Sequence, residues 1–518
     1  MNFPRTDFAR TRGGSRPRSH VVVGVAIALL VCLTVVGAAE LRAPFGFENV
    51  AEVAKKLASE SFKPRRAIPD FLRRLGYDEY RDIRFDPAQS LWKGGRGNFQ
   101  VQFMHPGQLY DAAVAINTLD ASGVHPVPFS PKLFSYGEKI PVDKIPVDLG
   151  FAGFQITYPL YTRAEYNHVL VFAGASYFRG VAKNQAFGLS VRGLALDTGL
   201  PSGEEFPFFR EFWLQQPARE AHFLKLYALL DSQSVTGAYE FVVRPGERTL
   251  VDVRARLFER KRAKEIGIAP LTSMFFYGEE RPRPGRDWRP EVHDSDGLLI
   301  QSGTGEWIWR PLVNPGQLGL SYFDVENPRG FGLLQRDRNF LHYEDLEARY
   351  DTRPSTWITP LDKWGQGQIK LVEIPTPREF NDNIVAYWIP KILPSVGQPI
   401  DVRYRMHFQS DDPLEPSSGR ATATRVGSGD ADGTSRIVVD FEGGKLKSLP
   451  QTAAVVATIT VAKPGELIQQ NVFKNAVTGG WRVAFQLKPP KDKPLEVRAF
   501  LRHGTDVITE TWSYLLAP

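Results

Sequence analysis

The pattern of hydrophobic and polar positions changes early in the chain, from helical spacing to strand spacing. Residues 47–61 place apolar side chains at helical intervals (Val50, Val53, Ala54 and Leu57), which predicts an amphipathic helix. A second, short helix is predicted at 69–75. From residue 83 onward the apolar residues form short runs separated by turn residues, with no long helical pattern between them, which argues against parallel βαβ units.

These short apolar runs have the length and the β-branched and aromatic content of strands. The run 249–257 alternates strictly between apolar and polar residues, as a half-buried antiparallel strand does. The fold class predicted from the pattern is therefore all-β, with a large antiparallel β-sandwich over residues 40–394. The clearest predicted strands in its first part are 83–85, 99–103, 112–116, 154–158, 168–172, 239–243 and 249–257.

A second domain is predicted after a cluster of helix- and strand-breaking residues, Pro390, Pro394, Gly397 and Pro399. About seven short apolar runs follow, which fits a small immunoglobulin-like β-sandwich over residues 395–518. Trp481 and Trp512 are its predicted core anchors. The polar, Gly- and Ser-rich stretch 413–433 is predicted to be a mobile loop.

The N-terminal residues 1–39 have the pattern of an export signal. Five arginines and one aspartate precede an uncharged apolar run, 21–39, which ends in small residues of the kind that signal peptidase accepts. The apolar run is long for a signal peptide, so an uncleaved membrane anchor is the alternative interpretation. The segment contains no adjacent arginine pair, which favours a general secretory route over the twin-arginine route.

Removal of residues 1–39 changes the charge and the cysteine content. The formal net charge falls from +6 to +2, so the basicity of the whole chain gives no reason to expect nucleic-acid binding. The chain has one cysteine, Cys32, which leaves with the signal. No disulfide and no thiol chemistry are expected in the mature protein, and its stability must come from core burial.

The familiar signatures of metalloproteases, P-loop enzymes and dinucleotide-binding proteins are absent from the sequence. Asp294-Ser295-Asp296-Gly297 resembles the start of a calcium loop, but the ligand series stops there and no glutamate follows at the right distance. We therefore expect neither a metal ion nor a cofactor in the reaction.

Two carboxylates, Asp294 and Asp382, lie in turn-type sequence directly before strand-like apolar runs. Cleavage of a glycosidic bond needs an acid to protonate the leaving oxygen and a base to activate water, and this pair could supply both. The alternative is that each aspartate only caps its own turn through backbone amides.

Aromatic and guanidinium side chains are dense between residues 289 and 388. Trp307, Trp309 and Tyr350 offer flat faces suited to sugar rings, and Arg310 can donate to hydroxyl groups. The alternative is that these side chains have a structural role. Trp307 and Trp309 are two residues apart on a predicted strand, so they point to the same face, and one face of such a strand is expected to lie in the core. The arginines and aspartates could equally form structural ion pairs.

The sequence resembles a known family at several long runs that occur in a fixed order. The family is that of the periplasmic glucan biosynthesis proteins G and D (OpgG or MdoG, and OpgD or MdoD), and the likeness is closer to protein G. It extends from about residue 45 to the C-terminus and is carried by residues 149–154, 174–179, 200–207, 269–275, 305–312, 327–336 and 381–388.

This resemblance implies a galactose mutarotase-like β-sandwich joined to an immunoglobulin-like domain. It also implies a periplasmic role in making osmoregulated glucans, whose backbone is β-1,2-linked glucose. The expected partners are β-1,2-glucan and the inner-membrane glucan synthase, and a homodimer is one expected assembly. Members of the family are similar to inverting glycoside hydrolases, so an endo-β-1,2-glucanase is the leading hypothesis. A non-catalytic glucan-binding factor and a transglycosylase remain alternatives.

The resemblance also assigns residue roles. Asp382 matches the general acid, Asp294 the proposed general base and Tyr350 a residue that lines the substrate cleft. Trp307, Trp309, Arg310 and Glu379 are further candidates for contacts with the substrate. Proton transfer through a relay of water and a sugar hydroxyl is implied, so the separation of the two acids need not match the usual inverting range of about 6.5–9.5 Å. Phe380 departs from the family pattern, which has a small polar residue there.

Overall fold

The computed structural model of the chain describes residues 45–95, 97–280, 285–410 and 419–517. The predicted export signal at 1–39 lies outside the described residues. The first helix, α1 (Phe47–Ala58), is amphipathic as predicted and buries Val50 and Ala54 fully. Two shorter helices follow, α2 (Asp70–Arg73) and α3 (Tyr77–Arg81). None of the helices among the described residues is long and apolar enough to cross a membrane.

The rest of the described chain is built mainly from strands, which confirms the all-β prediction. The strands up to residue 259 are β1 (Arg84–Phe85), β2 (Gln100–Met104), β3 (Ala115–Asp120), β4 (Gly123–Pro126), β5 (Phe134–Ser135), β6 (Gly153–Tyr158), β7 (Asn167–Ala173), β8 (Tyr177–Gly180), β9 (Ser190–Arg192), β10 (Ala195–Leu196), β11 (Phe208–Gln215), β12 (Leu224–Asp231), β13 (Val235–Arg244) and β14 (Thr249–Glu259). The alternating run 249–257 is thus confirmed as a strand, and it extends two residues further than predicted.

The central strands carry most of the site described below. They are β15 (Ile266–Ser273), β16 (Phe275–Tyr277), β17 (Val292–His293), β18 (Gly297–Gln301), β19 (Trp307–Pro311), β20 (Gly319–Glu326), β21 (Gly330–Leu334), β22 (Ser355–Pro360), β23 (Gln366–Glu373), β24 (Ile384–Pro390) and β25 (Pro399–Gln409). The final strands are β26 (Arg420–Ser428), β27 (Ser435–Glu442), β28 (Val455–Val461), β29 (Glu466–Lys474), β30 (Trp481–Lys488), β31 (Leu495–His503), β32 (Asp506–Val507) and β33 (Thr511–Leu516).

Two large sheets share one hydrophobic core. The first is ten-stranded, in the order β2-β6-β7-β8-β9-β15-β24-β23-β20, with β10 paired to β15. The second is fifteen-stranded, in the order β28-β31-β33-β19-β18-β21-β22-β25-β14-β13-β12-β11-β3-β4, with β32 paired to β31. Buried side chains from both sheets, such as Phe172 and Phe241, pack against each other at 5.2 Å between ring centroids. Helix α1 covers the outer face of β12 to β14.

Pairing is mainly antiparallel, as expected, with two exceptions among the described strands. Strand β11 pairs in parallel with β3, and β19 pairs in parallel with β33. Strand pairing is decided between segments far apart in sequence, so the alternation within one strand cannot reveal its direction relative to a partner.

The C-terminal part continues the large sheet and adds a smaller one. Strand β25, which follows the predicted boundary at 394/395, pairs with β14 and β22 of the large sheet. Strands β26, β27, β30 and β29 form a separate four-stranded sheet. Trp481 on β30 and Trp512 on β33 are buried in one hydrophobic cluster, as predicted, and are 3% and 0% exposed. The division into domains 40–394 and 395–518 stays a prediction, as do the mutarotase-like and immunoglobulin-like assignments.

The prediction of a mobile loop at 413–433 is wrong for residues 420–428. Residues Arg420–Ser428 form strand β26, which pairs with β27 with one irregularity at Thr422. The small residues Ala421 and Thr424 fit in this strand because they are buried against other strands, which the local sequence does not specify. Residues 411–418 of this stretch lie outside the described part.

Candidate active site

The turns that carry Asp294 and Asp382 are both held against one short segment, 273–275, between β15 and β16. The backbone N–H of Asp294 donates to the carbonyl of Met274 at 2.8 Å, and the N–H of Asn383 donates to the carbonyl of Ser273 at 3.0 Å. The hydroxyls of Ser273 and Ser295 add a contact at 2.8 Å. Two carboxylates that are 88 residues apart in sequence are therefore fixed to the same backbone.

The side chains of Asn381 and Asn383, on either side of Asp382, form the hydrogen bonds that hold this turn. The sequence alone could not tell whether Asp382 itself had that role. The buried amide of Asn383 accepts from the N–H of Phe275 at 2.8 Å. It also donates to the carbonyls of Phe275 and Ile374 at 3.0 and 3.1 Å. The amide of Asn381 donates to the hydroxyl of Thr376 at 3.3 Å. The turn is thus held by its neighbours, and the side chain of Asp382 remains 31% exposed.

Asp294 lies in a different environment, almost completely buried. Its Oδ1 is 3.1 Å from Nη1 of Arg353, and its side chain is 9% exposed. Burial raises the pKa of Asp294, the positive charge of Arg353 opposes that rise, and the negative charge of Asp382 adds to it. The two carboxylates are therefore close enough for the charge of one to affect the pKa of the other.

Arg179, on β8, joins the two acids. Its Nη2 lies 3.7 Å from Oδ2 of Asp382, and its charge also lowers the pKa of Asp294. Its Nε donates to the hydroxyl of Ser190 at 2.8 Å, which fixes the guanidinium in place. The sequence alone indicated no role for Arg179. The only signal was its place at the end of the run 174–179, one of those that carried the family resemblance.

Tyr350 lies close to both Asp294 and Glu379. Tyr350 begins a 3₁₀ turn, Tyr350–Thr352, directly after the left-handed residue Arg349 (φ 46°). Its ring is 4% exposed and lies 5.0 Å from the guanidinium carbon of Arg353. Burial raises the pKa of Tyr350, and the charges of Glu379 and Asp294 raise it further. Glu379 is held by Arg289, with 2.5 Å between Oε2 and Nη2.

A cleft of about 620 Å³ opens onto Asp382 and Arg179. Its other lining side chains include Tyr110, Tyr177 and Phe206, the last of which is 52% exposed. A second cavity of about 610 Å³ shares four lining residues with it, Arg65, Asp111, Ala112 and Phe206. The two together make a groove lined by aromatic faces, guanidinium groups and carboxylates, a mixture of apolar and polar groups suited to ligand binding.

The structure does not bring Trp307, Trp309 and Arg310 into this groove. Trp309 is 4% exposed, with the guanidinium carbon of Arg336 3.6 Å from a ring centroid. Arg310 is 1% exposed, and its Nη1 lies 3.1 Å from both carboxylate oxygens of Glu496. Trp307 stacks on Trp357 at 5.8 Å. Their assignment to the substrate stays a prediction, and these contacts give them a structural role, which is the alternative that the sequence left open.

Trp309 does support the site indirectly, through Gly297. A Cβ added at Gly297 would lie 2.3 Å from the Trp309 ring, so only glycine fits at this position. The indole thus packs on the residue that ends the Asp294-Ser295-Asp296-Gly297 turn. Phe380, the departure from the family pattern, is 72% exposed, and the guanidinium carbon of Arg378 lies 5.5 Å from its ring centroid.

The ionisable groups around the two acids favour acid–base chemistry. Both Asp294 and Asp382 face guanidinium groups, which oppose the binding of a cation between them. A separate cluster, Glu291, Asp337 and His342, could hold a metal ion and is considered below.

Comparisons with a family model and with individual proteins identify the same family. The family model described as "Periplasmic glucan biosynthesis protein, MdoG" matches residues 45–516. A protein of Ralstonia nicotianae named "Glucans biosynthesis protein G" is 48% identical over 503 residues, which cover 95% of this chain and 99% of that protein. Proteins of the same name from Dickeya dadantii and Pectobacterium atrosepticum are 44% and 45% identical over 485 residues. These alignments cover 91% and 90% of this chain and 93% and 92% of the relatives.

Proposed function

Because the chain belongs to the family of the periplasmic glucan biosynthesis protein MdoG, we propose that it cleaves the backbone of a β-1,2-linked glucan during glucan synthesis. Membership of the family carries the role in glucan biosynthesis. The observation that supports cleavage is the pair of carboxylates, Asp294 and Asp382, fixed to one backbone segment and coupled by charge.

In the proposed reaction Asp382 is the general acid. It donates its proton to the glycosidic oxygen, directly or through water and a sugar hydroxyl, as the bond from that oxygen to the anomeric carbon breaks. Its position supports this role, because the side chain is exposed at the rim of the groove while Asn381 and Asn383 hold its backbone. Arg179 orients the carboxylate and stabilises the negative charge that remains after proton transfer.

Asp294 is the proposed general base. It accepts a proton from the water that forms the new bond to the anomeric carbon, so the product has inverted configuration. Arg353 favours the ionised form, which the base must have before the reaction, while burial raises the pKa of Asp294 and makes it a stronger proton acceptor. No step requires a metal ion.

The open groove favours cleavage within a chain over removal of terminal sugars. It continues from the cavity that contains Asp382 into a second cavity of similar volume, past Phe206. Tyr110, Tyr177 and Phe206 offer faces on which sugar rings can stack. We also propose that the protein works in the periplasm on chains that an inner-membrane glucan synthase delivers.

The test is incubation of the purified protein with linear β-1,2-glucan, followed by chromatography of the products and by NMR of the new reducing ends. Wild type should release shorter chains with inverted ends, whereas Asp382→Asn and Asp294→Asn should release none and still bind the glucan. Asp506→Asn, at an exposed position on β32, is the matched control and should match wild type.

Two other results would replace this proposal. Binding without cleavage by any variant would support a non-catalytic glucan-binding factor. Longer or cyclic products that depend on both aspartates would support a transglycosylase that uses the same pair.

A further inference from the structure

A second cluster of carboxylates lies outside the groove, around a small cavity of about 60 Å³. One wall is β26, at residues 421–424, and the other is formed by the segment after β16 and the residues around β17 and β21. Five acidic side chains line the cavity: Glu279, Glu280, Glu291, Asp296 and Asp337. Neither Asp294 nor Asp382 is among the lining residues, so the proposed reaction does not use this cluster.

Two residues that line the cavity, Glu291 and Asp337, have the spacing of metal ligands together with the exposed His342 nearby. Glu291, Asp337 and His342 each offer one ligand atom, and these atoms all lie within 4.8 Å of one another. Carboxylate oxygens and imidazole nitrogens are the common protein ligands of divalent cations. The cavity is large enough for one ion together with water, whose share of liquid volume is about 30 Å³ per molecule.

Glu280 provides an independent observation. Its Oε1 is fully buried, lines the same cavity and has no hydrogen-bond partner among the residues that the structure describes. A buried carboxylate oxygen without a partner is costly, because the loss of hydration is not repaid. An ion in the cavity would supply the missing partner.

The positive groups near the cavity are already engaged. His293 contacts Glu291 at 2.9 Å, and His342 hydrogen-bonds to Asp337. Arg336 forms a 2.6 Å ion pair with Glu510.

Arg425 lies 3.5 Å from Glu279 and 3.1 Å from Asp440, so its charge is shared between two acids. Five acidic side chains line the cavity, whereas His293 and Arg336 are its only lining residues of a basic type among the described residues.

We propose that Glu291, Asp337 and His342 bind one divalent cation, and that Glu280, which lines the same cavity as Glu291 and Asp337, turns its unpartnered oxygen toward the ion. The oxygen-rich set favours Ca²⁺ or Mn²⁺, since harder cations prefer carboxylate ligands. The ion would connect Glu280, after β16, to Asp337, after β21. It would also fix the position of Glu291, which is three residues before Asp294. Its role is structural, and it takes no part in the proton transfers proposed for Asp294 and Asp382.

The test uses the full chain after treatment with a chelator. Calorimetric titration with CaCl₂ and, separately, with MnCl₂ should detect one site, and the electron paramagnetic resonance signal of free Mn²⁺ should fall as the ion binds. Glu280→Gln should weaken binding about tenfold or more, whereas Asp506→Asn should bind as wild type does. Ion binding should also raise the melting temperature of wild type more than that of Glu280→Gln.

Folding of the variant is controlled by its melting temperature without ions. Chelated Glu280→Gln should melt no lower than chelated wild type, because the amide has the same size as the carboxyl group and its NH₂ group can donate hydrogen bonds. Wild type that binds neither ion up to millimolar concentration would overturn the proposal. Equal affinity of wild type and Glu280→Gln would overturn it as well.

Discussion

Removal of the charge of Arg353 should shift the pH at which the protein loses activity. The base Asp294 must be ionised to accept a proton, so activity is present above its pKa and is lost as the pH falls through that value. Arg353 lowers the pKa of Asp294. In Arg353→Gln the pKa should therefore rise, and the acidic limb of kcat/KM should move to higher pH.

The size of the shift follows from the geometry of the pair. Asp294 and Arg353 are 3.1 Å apart, and their side chains are 9% and 17% exposed. Coulomb's law gives about 5 kcal/mol for two unit charges at this distance and an effective dielectric constant of about 20. Desolvation of both groups reduces this figure, so we expect a shift of about 1 to 3 pKa units, the usual effect of one arginine on a carboxylate.

The assay is kcat/KM on linear β-1,2-glucan across the pH range, with Arg353→Lys as the control that keeps the charge. Arg353 also donates to the carbonyl of Ala348, so both variants lose part of that contact and differ mainly in charge. An acidic limb that stays in place in Arg353→Gln, or that moves equally in both variants, would refute the role of Asp294 as the base.

A stability measurement checks the same electrostatics without requiring activity. Because the folded protein raises the pKa of Asp294 above its ordinary value of 3.8, the stability that this group contributes is fully present below that pH. It is lost as the pH rises through the folded-state pKa. Asp294→Asn removes the titration, so its unfolding free energy should rise relative to wild type over this window by about 1.4 kcal/mol per pKa unit.

The remaining predictions concern the support of the site and the groove. Asn383→Ala should lower stability by about 1–3 kcal/mol, since it leaves the buried N–H and carbonyl of Phe275 and the part-buried carbonyl of Ile374 without this partner, and it should abolish cleavage. Gly297→Ala should cost about 1–3 kcal/mol in chemical denaturation, because its Cβ would lie 2.3 Å from an indole. Phe206→Ala should raise KM for the glucan and leave the melting temperature unchanged, because Phe206 is 52% exposed in the groove.

Each of these predictions has a matched comparison. Asn381 makes one longer side-chain bond, 3.3 Å, so Asn381→Ala should cost much less stability than Asn383→Ala. A Cβ added at Gly427 would meet no atom within 4 Å, so Gly427→Ala should be close to neutral. Phe473 is also 52% exposed but lies on β29, away from the groove, so Phe473→Ala should leave KM unchanged. Equal effects within any of these pairs would contradict the corresponding argument.

Local patterns were sufficient where burial follows one period along a continuous segment. Helix α1 and strand β14 were predicted correctly because their apolar residues repeat every three to four or every two positions. The stretch around β26 was predicted wrongly because its small residues look like a loop in isolation. Its identity as a strand depends on pairing with β27. Parallel pairing of β19 with β33 likewise joins segments about 200 residues apart, which no local pattern contains.

The sequence by itself determined the all-β class, the family and the two aspartates that matter most to the proposal. It could do so because both the alternation of apolar residues in a strand and the sequence runs that identify the family are properties of consecutive residues. Only the tertiary structure decided that Asp294 is buried against Arg353 while Asp382 stands exposed beside Arg179, and that Trp309 and Arg310 are buried. Burial and ion pairing depend on which distant segments meet. The same residue types can therefore form a core, a catalytic pair or a cation site.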